Sequence, residues 1–319
     1  MLSTLTNRAV VEGLPATVEE ALELNRLYST AELSSSADQI RAKWCGDKIH
    51  TCSIVNARSG RCSENCKWCA QAGCHKTGVR EYEHIPQAEA VRAYTFNKQL
   101  GASCFSMVTS GRKVLGRDMK LFCGIYKELS KLGGVELCAS MGLLSKDELQ
   151  QLWDAGVRKY HCNLESSPSY FSKLCTSHSI EDKLKTIKTA REMGFTICCG
   201  GIIGMGETLR DRLELAEMAR EAGASSIPVN ILQPIKGTPL QDIEPISEEE
   251  IERSVALMRF MAPKCTLHFA GGRGRLSRQA TARILHGGMN GALIGKMLTT
   301  VGNDIDDDFK LFESIGYEK

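Results

Sequence analysis

The sequence predicts an α/β protein: a (β/α)8 TIM-type barrel with an N-terminal helical extension. Three observations carry this. Strand-like runs alternate with helical stretches eight times between residues 51 and 294, and such alternation argues for a parallel sheet. The 319 residues leave room for a barrel of about 250 residues and its extensions. The loop after the first strand is rich in cysteine, where an open doubly wound sheet would carry a glycine-rich phosphate turn.

Residues 17–29 and 35–46 read as two amphipathic helices, with Thr17 as N-cap and Glu20 three residues on. They are expected to plug or cap the base of the barrel. Strands are predicted at 51–56, 102–108, 135–141, 159–164, 196–203, 225–232, 266–270 and 291–294. Helices are predicted between them at 86–100, 118–132, 146–155, 180–193, 209–222, 248–261 and 275–286, with a last one at 308–315. No linker, repeat or low-complexity tract interrupts the series. One domain over residues 1–319 is expected: helices to about 50, barrel at about 51–296, tail at about 297–319.

The 40 basic residues nearly cancel the 38 acidic ones, so no nucleic acid or other polyanionic partner is expected. The first twenty residues hold Glu12, Glu19, Glu20 and no apolar run, which predicts no signal peptide. No stretch approaches the roughly 20 apolar residues of a membrane span. A soluble, cytoplasmic protein is expected. Fourteen cysteines in a reducing compartment point to metal or catalysis more than to bridges. Some are packing residues, and Cys45 and Cys123 are read as core.

The chemistry centres on residues 61–69, where Cys62, Cys66 and Cys69 are spaced C-x3-C-x2-C. Three thiolates on one loop can hold three irons of a [4Fe–4S] cluster. The fourth iron stays open to a small chelating molecule such as S-adenosylmethionine, with its amino and carboxylate groups. The competing reading is half of a zinc site, which wants four N/S ligands. Cys74 is near enough to be a spare ligand, but no second C-x2-C follows. The spacing, with Trp68 just before the last cysteine, resembles the radical SAM superfamily.

Other chemistry-bearing residues fall on the predicted strands. Cys104 and Ser106 share a face of the second strand; Cys138, Cys162 and Cys198 with Cys199 come from the third, fourth and fifth. The seventh offers Leu267 or His268. Soft ligands from neighbouring strands can meet inside one barrel, which points to a second iron–sulfur site. The fifth strand runs into Gly200, Ile202, Gly204 and Glu207. Glycines there allow a ligand close to the backbone; the plain alternative is a strand-to-helix turn with Glu207 in the first helical turn. In radical SAM barrels the similar G-x-I-x-G-x-x-E element packs its isoleucine on adenine. Asn163 and Glu165 share a face by period 2 and suit a ribose or small polar ligand, or are merely a solvated strand end; Asn230 ends the sixth strand.

Residues 56–60, 68–71, 163–165, 200–208 and 230–239, with Leu298-Thr299-Thr300, together resemble the biotin synthase family over nearly the whole chain. The resemblance implies a homodimeric radical SAM sulfurtransferase that inserts sulfur into dethiobiotin. An adenosyl radical from S-adenosylmethionine would abstract hydrogen, and an auxiliary cluster would give the sulfide. A low-potential flavodoxin or ferredoxin would supply electrons. Trp68, Asn163, Glu165, Gly200, Ile202 and Gly204 would line the S-adenosylmethionine site, and Asn163 and Asn230 would meet the ureido ring of dethiobiotin. The usual auxiliary [2Fe–2S] cluster sits on three cysteines and an arginine. Cys138 and Cys198 match two of these, Ser106 stands at the third, and Leu267 or His268 at the arginine. The expected set is therefore Cys104, Cys138, Cys198 and His268, with Cys162 as a lesser candidate and a four-iron form expected. A hydrogenase-maturation-type lyase or a mutase is the nearest enzyme alternative. A non-catalytic iron–sulfur carrier is the alternative of another class.

Overall fold

The structure, a computed structural model, describes residues 1–295, 298 and 304–318. Thr299 and Thr300, part of the family resemblance, lie outside the described residues. Three helices come first: α1 (Leu2–Glu12), α2 (Val18–Leu27) and α3 (Thr30–Cys45). Strands and helices then alternate: β1 (His50–Arg58), α4 (Gln87–Gln99), β2 (Cys104–Thr109), α5 (Gly116–Leu132), β3 (Glu136–Ser140), α6 (Lys146–Asp154), β4 (Lys159–His161). After β4 come α7 (Pro168–Leu174), α8 (Ile180–Glu192), β5 (Thr196–Cys198), β6 (Gly201–Ile203), α9 (Leu209–Glu221) and β7 (Ala224–Ile231). The chain ends with α10 (Glu248–Met261), β8 (Thr266–Phe269), a 3-10 turn at Arg273–Arg275, α11 (Arg278–His286), β9 (Gly291–Leu293) and α12 (Ile305–Ser314).

Every strand pairing is parallel, and the ring closes because β1 pairs with both β2 and β9 while β7 pairs with β5, β6 and β8. The result is the expected eight-stranded barrel. The expected fifth strand, 196–203, is split into β5 and β6. Its break falls where a Cβ on Gly200 would lie 2.1 Å from Pro228 O, and one on Gly201 2.5 Å from Glu165 O. Bare glycine backbone lets two neighbouring segments press in there. The expected fourth strand also stops early, at His161. Beyond it the pairing is irregular: Cys162 N donates to Cys198 O at 3.1 Å, Leu164 N to Gly200 O at 2.8 Å, and Glu165, at φ +74°, bridges to Gly201.

Local signals explain most helix starts. Thr17 and Glu20 form the expected capping box. Ser29 and Glu32 form another, so α3 begins at Thr30 rather than 35. α1 was missed, although Leu2, Leu5 and Ala9 sit at helical spacing and the latter two are buried. α7 was missed as well; Ser167 caps it with Pro168 in the first turn.

The N-terminal helices do not cap the base as expected. They pack along the outer layer, α3 against α10 and α11, α2 against α9 and α10. Ala16 N donates to Phe260 O at 2.9 Å and Trp44 Nε1 to Ala9 O at 2.8 Å. Cys45 is therefore only half-buried, at the end of α3, whereas Cys123 is buried as expected. Among the described residues no helix is long and apolar enough to cross a membrane.

Candidate metal centres

The cysteine loop leaves the C-terminal end of β1, the end where barrel enzymes work. A bulge between Asn56 and Arg58 turns the chain, and Gly60 and Arg61 both take positive φ, 73° and 49°. The loop is then fixed by its own backbone: Cys62 N donates to Gln71 O at 3.1 Å, Gly73 N to Cys62 O at 2.8 Å and Cys69 N to Cys66 O at 3.0 Å. Asn65 Oδ1 anchors it across the rim, accepting from Thr176 N at 3.0 Å and Ser177 N at 3.2 Å.

Cys62, Cys66, Trp68 and Cys69 line a cavity of about 240 Å³ together with Cys162, Asn163 and Glu165. An adjoining cavity of about 260 Å³ is lined by Trp68, Cys69, Asn163, Glu165, Ile202 and Asn230. Burial pushes the Cys62 thiol up, and the Cys69 thiol to about 11. The hydrogen bond with Cys175, then burial, pushes up Cys66. These thiols are protonated at neutral pH without metal, so cluster binding must displace protons. Cys74 is exposed and lines neither cavity.

Glu165 shows that the rim awaits a ligand. Its Oε2 is buried with no hydrogen-bond partner. Burial raises its carboxyl above the ordinary range, opposed by Lys183 and Asn163. An unpartnered buried carboxylate oxygen costs roughly 1–3 kcal/mol or more, and a non-glycine residue at positive φ adds about 1–3 kcal/mol. An ammonium group from a ligand would satisfy that oxygen. Asn163 Oδ1 accepts from Gly200 N at 3.1 Å. Asn230 bridges two strand ends, donating to Gly201 O at 3.0 Å and accepting from Gly271 N at 2.9 Å.

Gly200 and Gly204 line neither rim cavity, against the expectation that they admit a ligand. Gly200 makes room for β7, and Gly204 turns the chain at φ +90°. Glu207 lies before the helix rather than in its first turn, which Thr208 caps. Its carboxylate accepts from Gly204 N at 2.7 Å and Met205 N at 2.6 Å, and pairs with Arg212 at 2.6 Å.

A third cavity, about 170 Å³, lies inside the barrel. Cys104, Cys138, Cys198 and His268 all line it. Leu267 does not: it packs in the surrounding core, and His268 turns inward. Cys162 lines the rim cavity instead. Cys199 is buried in the hydrophobic core. Sequence reasoning missed Cys52, His50, Lys159 and His161, which line the same cavity. Cys52 is paired directly with Cys104 in the β1–β2 register. Its place two residues before Ile54, within an expected strand, was a usable signal.

The inner cavity is electrostatically organised around Cys104. Its Sγ lies 3.3 Å from Lys159 Nζ and 3.5 Å from His50 Nε2. The hydrogen bond from Cys52, followed by those neighbours, holds Cys104 well below the ordinary thiol range. Burial pushes His268 well below the ordinary imidazole range, and His161 to about 4. Neutral imidazole is the metal-binding form. His268 Nε2 lies 2.8 Å from His50 Nδ1, and His161 Nδ1 3.2 Å from Cys198 Sγ. In the ladder Ser106 faces Cys138 while Cys104 faces Glu136. Cys104 thus sits one pleat, about 6.7 Å, closer to the barrel base than Ser106.

The rim and the interior both fit iron–sulfur chemistry: three free thiols on one rim loop, and thiols plus neutral imidazoles inside. A parallel barrel with such a rim defines a class, the radical SAM enzymes. Residues 57–219 match the model of the Radical SAM superfamily, and residues 228–318 that of the Biotin and Thiamin Synthesis associated domain. Among solved structures, methylornithine synthase superposes with TM-score 0.81 at 16% identity, covering 98% of this chain and 96% of that one. An FeFe-hydrogenase maturase from Carboxydothermus hydrogenoformans gives TM-score 0.82 at 15% identity, covering 99% of this chain and 78% of that one. These two establish the fold alone. A biotin synthase of Parabacteroides distasonis is 46% identical over 308 residues, 97% of this chain and 94% of that one. One of Clostridium botulinum strain Loch Maree is 42% identical over 311 residues, 98% of this chain and 97% of that one. The chain belongs to the biotin synthase family. It is an enzyme of the radical SAM sulfurtransferase kind, using a [4Fe–4S] cluster, S-adenosylmethionine and an auxiliary iron–sulfur cluster.

Proposed function

We propose that the rim and the inner cavity divide the conversion of dethiobiotin to biotin between them. Cys62, Cys66 and Cys69 hold the [4Fe–4S] cluster. Glu165 receives the amino group of S-adenosylmethionine, Trp68 and Ile202 give apolar surface, and Asn163 supports the polar end. Gly200 and Gly204 act through the backbone, keeping Asn163 and the Glu207 turn in place. Asn163 and Asn230 border the dethiobiotin ureido ring, an amide being both donor and acceptor. When bound, the cofactors supply the adenosyl radical and the sulfide. The protein's part is to hold the reacting carbon between them and to keep water out.

Cys104, Cys138, Cys198 and His268 hold the auxiliary cluster, and Cys52 adds a fourth thiolate. Five soft donors from five strands around one cavity carry this reading. A [2Fe–2S] and a [4Fe–4S] centre each take four protein ligands, so it is the changed ligand set, with Ser106 and His268 in place of the usual cysteine and arginine, that favours a four-iron form with an extra sulfide. Iron and sulfide counts with Mössbauer spectra on anaerobically prepared protein test it. A clean [2Fe–2S] signal that survives Cys104→Ala overturns it.

The chain works as one domain, because strands from both family-matched segments hydrogen-bond in one sheet. Arg58, Arg61, Arg112, Lys113 and Arg117 surround an open hollow of about 680 Å³ beside the cysteine loop. Glu83 and Asp118 share that lining, and Arg58, Arg61, Arg112 and Lys113 each pair with a carboxylate, so a low-potential electron carrier of the flavodoxin or ferredoxin type rests on the family and not on this surface. A cytoplasmic homodimer is the working form, as in the family. Fourteen unpaired cysteines fit a reducing compartment.

A further inference from the structure

Beside the cysteine loop, on the wall of the rim cavity, three metal-binding side chains meet. Cys175 follows α7, and His178 comes three residues later. Cys175 Sγ lies 3.6 Å from Cys66 Sγ. It lies 3.4 Å from His178 Nδ1 and 3.9 Å from Nε2. One ligand atom from each of Cys66, Cys175 and His178 falls within 4.8 Å of the other two. Cys175 is 3% exposed, and the side chains of His178 and Glu64 are 7% and 8% exposed.

The spacing has a simple metric. A tetrahedral ion holds sulfur at about 2.3 Å and imidazole nitrogen at about 2.0 Å. Two sulfurs on one such ion then stand about 3.8 Å apart, and a sulfur and a nitrogen about 3.5 Å apart. The two sulfurs, 3.6 Å apart, match the first value, and Cys175 Sγ to His178 Nε2, at 3.9 Å, is longer than the second by about 0.4 Å, a gap the ion's approach must close. Glu64 Oε2 lies 2.6 Å from His178 Nδ1. That contact assigns the proton to Nδ1 and leaves Nε2 free, the carboxylate–histidine–metal arrangement. The buried Lys183 ammonium interacts with both Cys66 and Cys175 and offsets the charge of two thiolates.

We propose that the chain, before its rim cluster is installed, binds one divalent thiolate-seeking cation of the zinc(II) or iron(II) class at Cys66, Cys175 and His178. Glu64 orients the imidazole, and water completes the tetrahedron. Binding moves to solvent the thiol proton that Cys66 donates to Cys175, and no electron is transferred. Because Cys66 belongs also to the three-cysteine loop, this ion and the rim cluster are alternative states of one residue. The alternation rests on the proposed role of Cys66 in the cluster; the cation site itself does not.

The test uses the full-length chain, stripped of clusters by anaerobic chelation and titrated with cobalt(II). Tetrahedral d–d and thiolate charge-transfer absorption report the site. Cys175→Ala and His178→Ala should each lose one equivalent of tetrahedral cobalt, while a Cys62→Ala/Cys69→Ala double variant keeps it. Cobalt on the inner cysteines is common to all and cancels. Glu64→Gln should weaken binding about 10- to 100-fold. Separate zinc(II) and iron(II) competitions then tell which ion displaces cobalt, zinc being favoured by intrinsic affinity. Retention in Cys175→Ala and His178→Ala, with loss in the double variant, overturns the proposal and places the ion on the three-cysteine loop. A second measurement needs no variant. Zinc should slow alkylation of Cys175 in the wild-type cluster-free chain, read by peptide mass; equal rates with and without zinc overturn the proposal too.

Discussion

The rim and the barrel interior hold comparable soft donors but are assembled differently. At the rim, three cysteines come from one loop of nine residues, and backbone hydrogen bonds among residues 62–73 hold its shape. Inside, each donor comes from a different strand: Cys52, Cys104, Cys138, Cys198 and His268 from β1, β2, β3, β5 and β8. A rim built from a single loop keeps its ligand spacing even if the barrel shifts. An interior site exists only when the ring closes. The rim also carries an unsatisfied carboxylate, suited to a charged small molecule, whereas the interior carries neutral imidazoles and a thiol held low by Cys52, His50 and Lys159. On the proposed assignment, the difference separates radical generation from sulfur donation.

Substitutions should split along the same line. The largest effect is expected at the rim. Cys69→Ala should abolish both S-adenosylmethionine cleavage and biotin formation and remove one four-iron cluster, checked by product chromatography and iron analysis. Cys138→Ala and Cys198→Ala should abolish biotin formation yet leave S-adenosylmethionine cleavage in place. Loss of both activities, with native circular dichroism, would break the division of labour. Glu165→Gln should raise the S-adenosylmethionine KM about 10- to 100-fold, the worth of a hydrogen bond to a charged group. Ser106→Cys should leave iron and sulfide content unchanged, because Cys104 and Cys52, one pleat lower, already supply the thiolates on that side. A gain of metal there would move the inner site up the barrel.

Glu20, remote from both regions, gives the smallest effect and the pH control. The hydrogen bond from Arg8 holds its carboxyl below the ordinary range. A depressed folded-state value adds stability above the unfolded carboxyl value, about pH 4.3, and that stability is lost as pH falls through the folded value. Both side chains are about 30% exposed, so Glu20→Gln should cost under about 1 kcal/mol at pH 7. Denaturant curves at pH 7 and pH 3 should show the difference shrink at the lower pH, with both catalytic readouts unchanged.

Short-range signals account for what was legible. C-x3-C-x2-C, the Thr17 capping box and the alternation of elements each act over a few residues, so spacing alone carries them. The inward placement of Cys104, Cys138 and Cys198 followed from period 2 once a barrel was assumed. Cys52 was passed over because its meaning lies in the neighbour across the ladder. His178 and Cys175 were passed over because their partner, Cys66, is more than a hundred residues earlier in the chain. The two glycines at the fifth strand were legible as special but not in purpose: they admit Pro228 and Glu165 backbone rather than a ligand.

By itself, then, the sequence determined the fold class, the rim loop and the soft-donor character of the interior, since local geometry and residue chemistry are fixed by the chain's covalent order. Only the tertiary structure decided which donors share a cavity, that His268 rather than Leu267 faces inward, and that the N-terminal helices lie along the outer wall. Those outcomes depend on strand register, ring closure and helix packing. These are collective results of burying apolar surface that no single segment encodes.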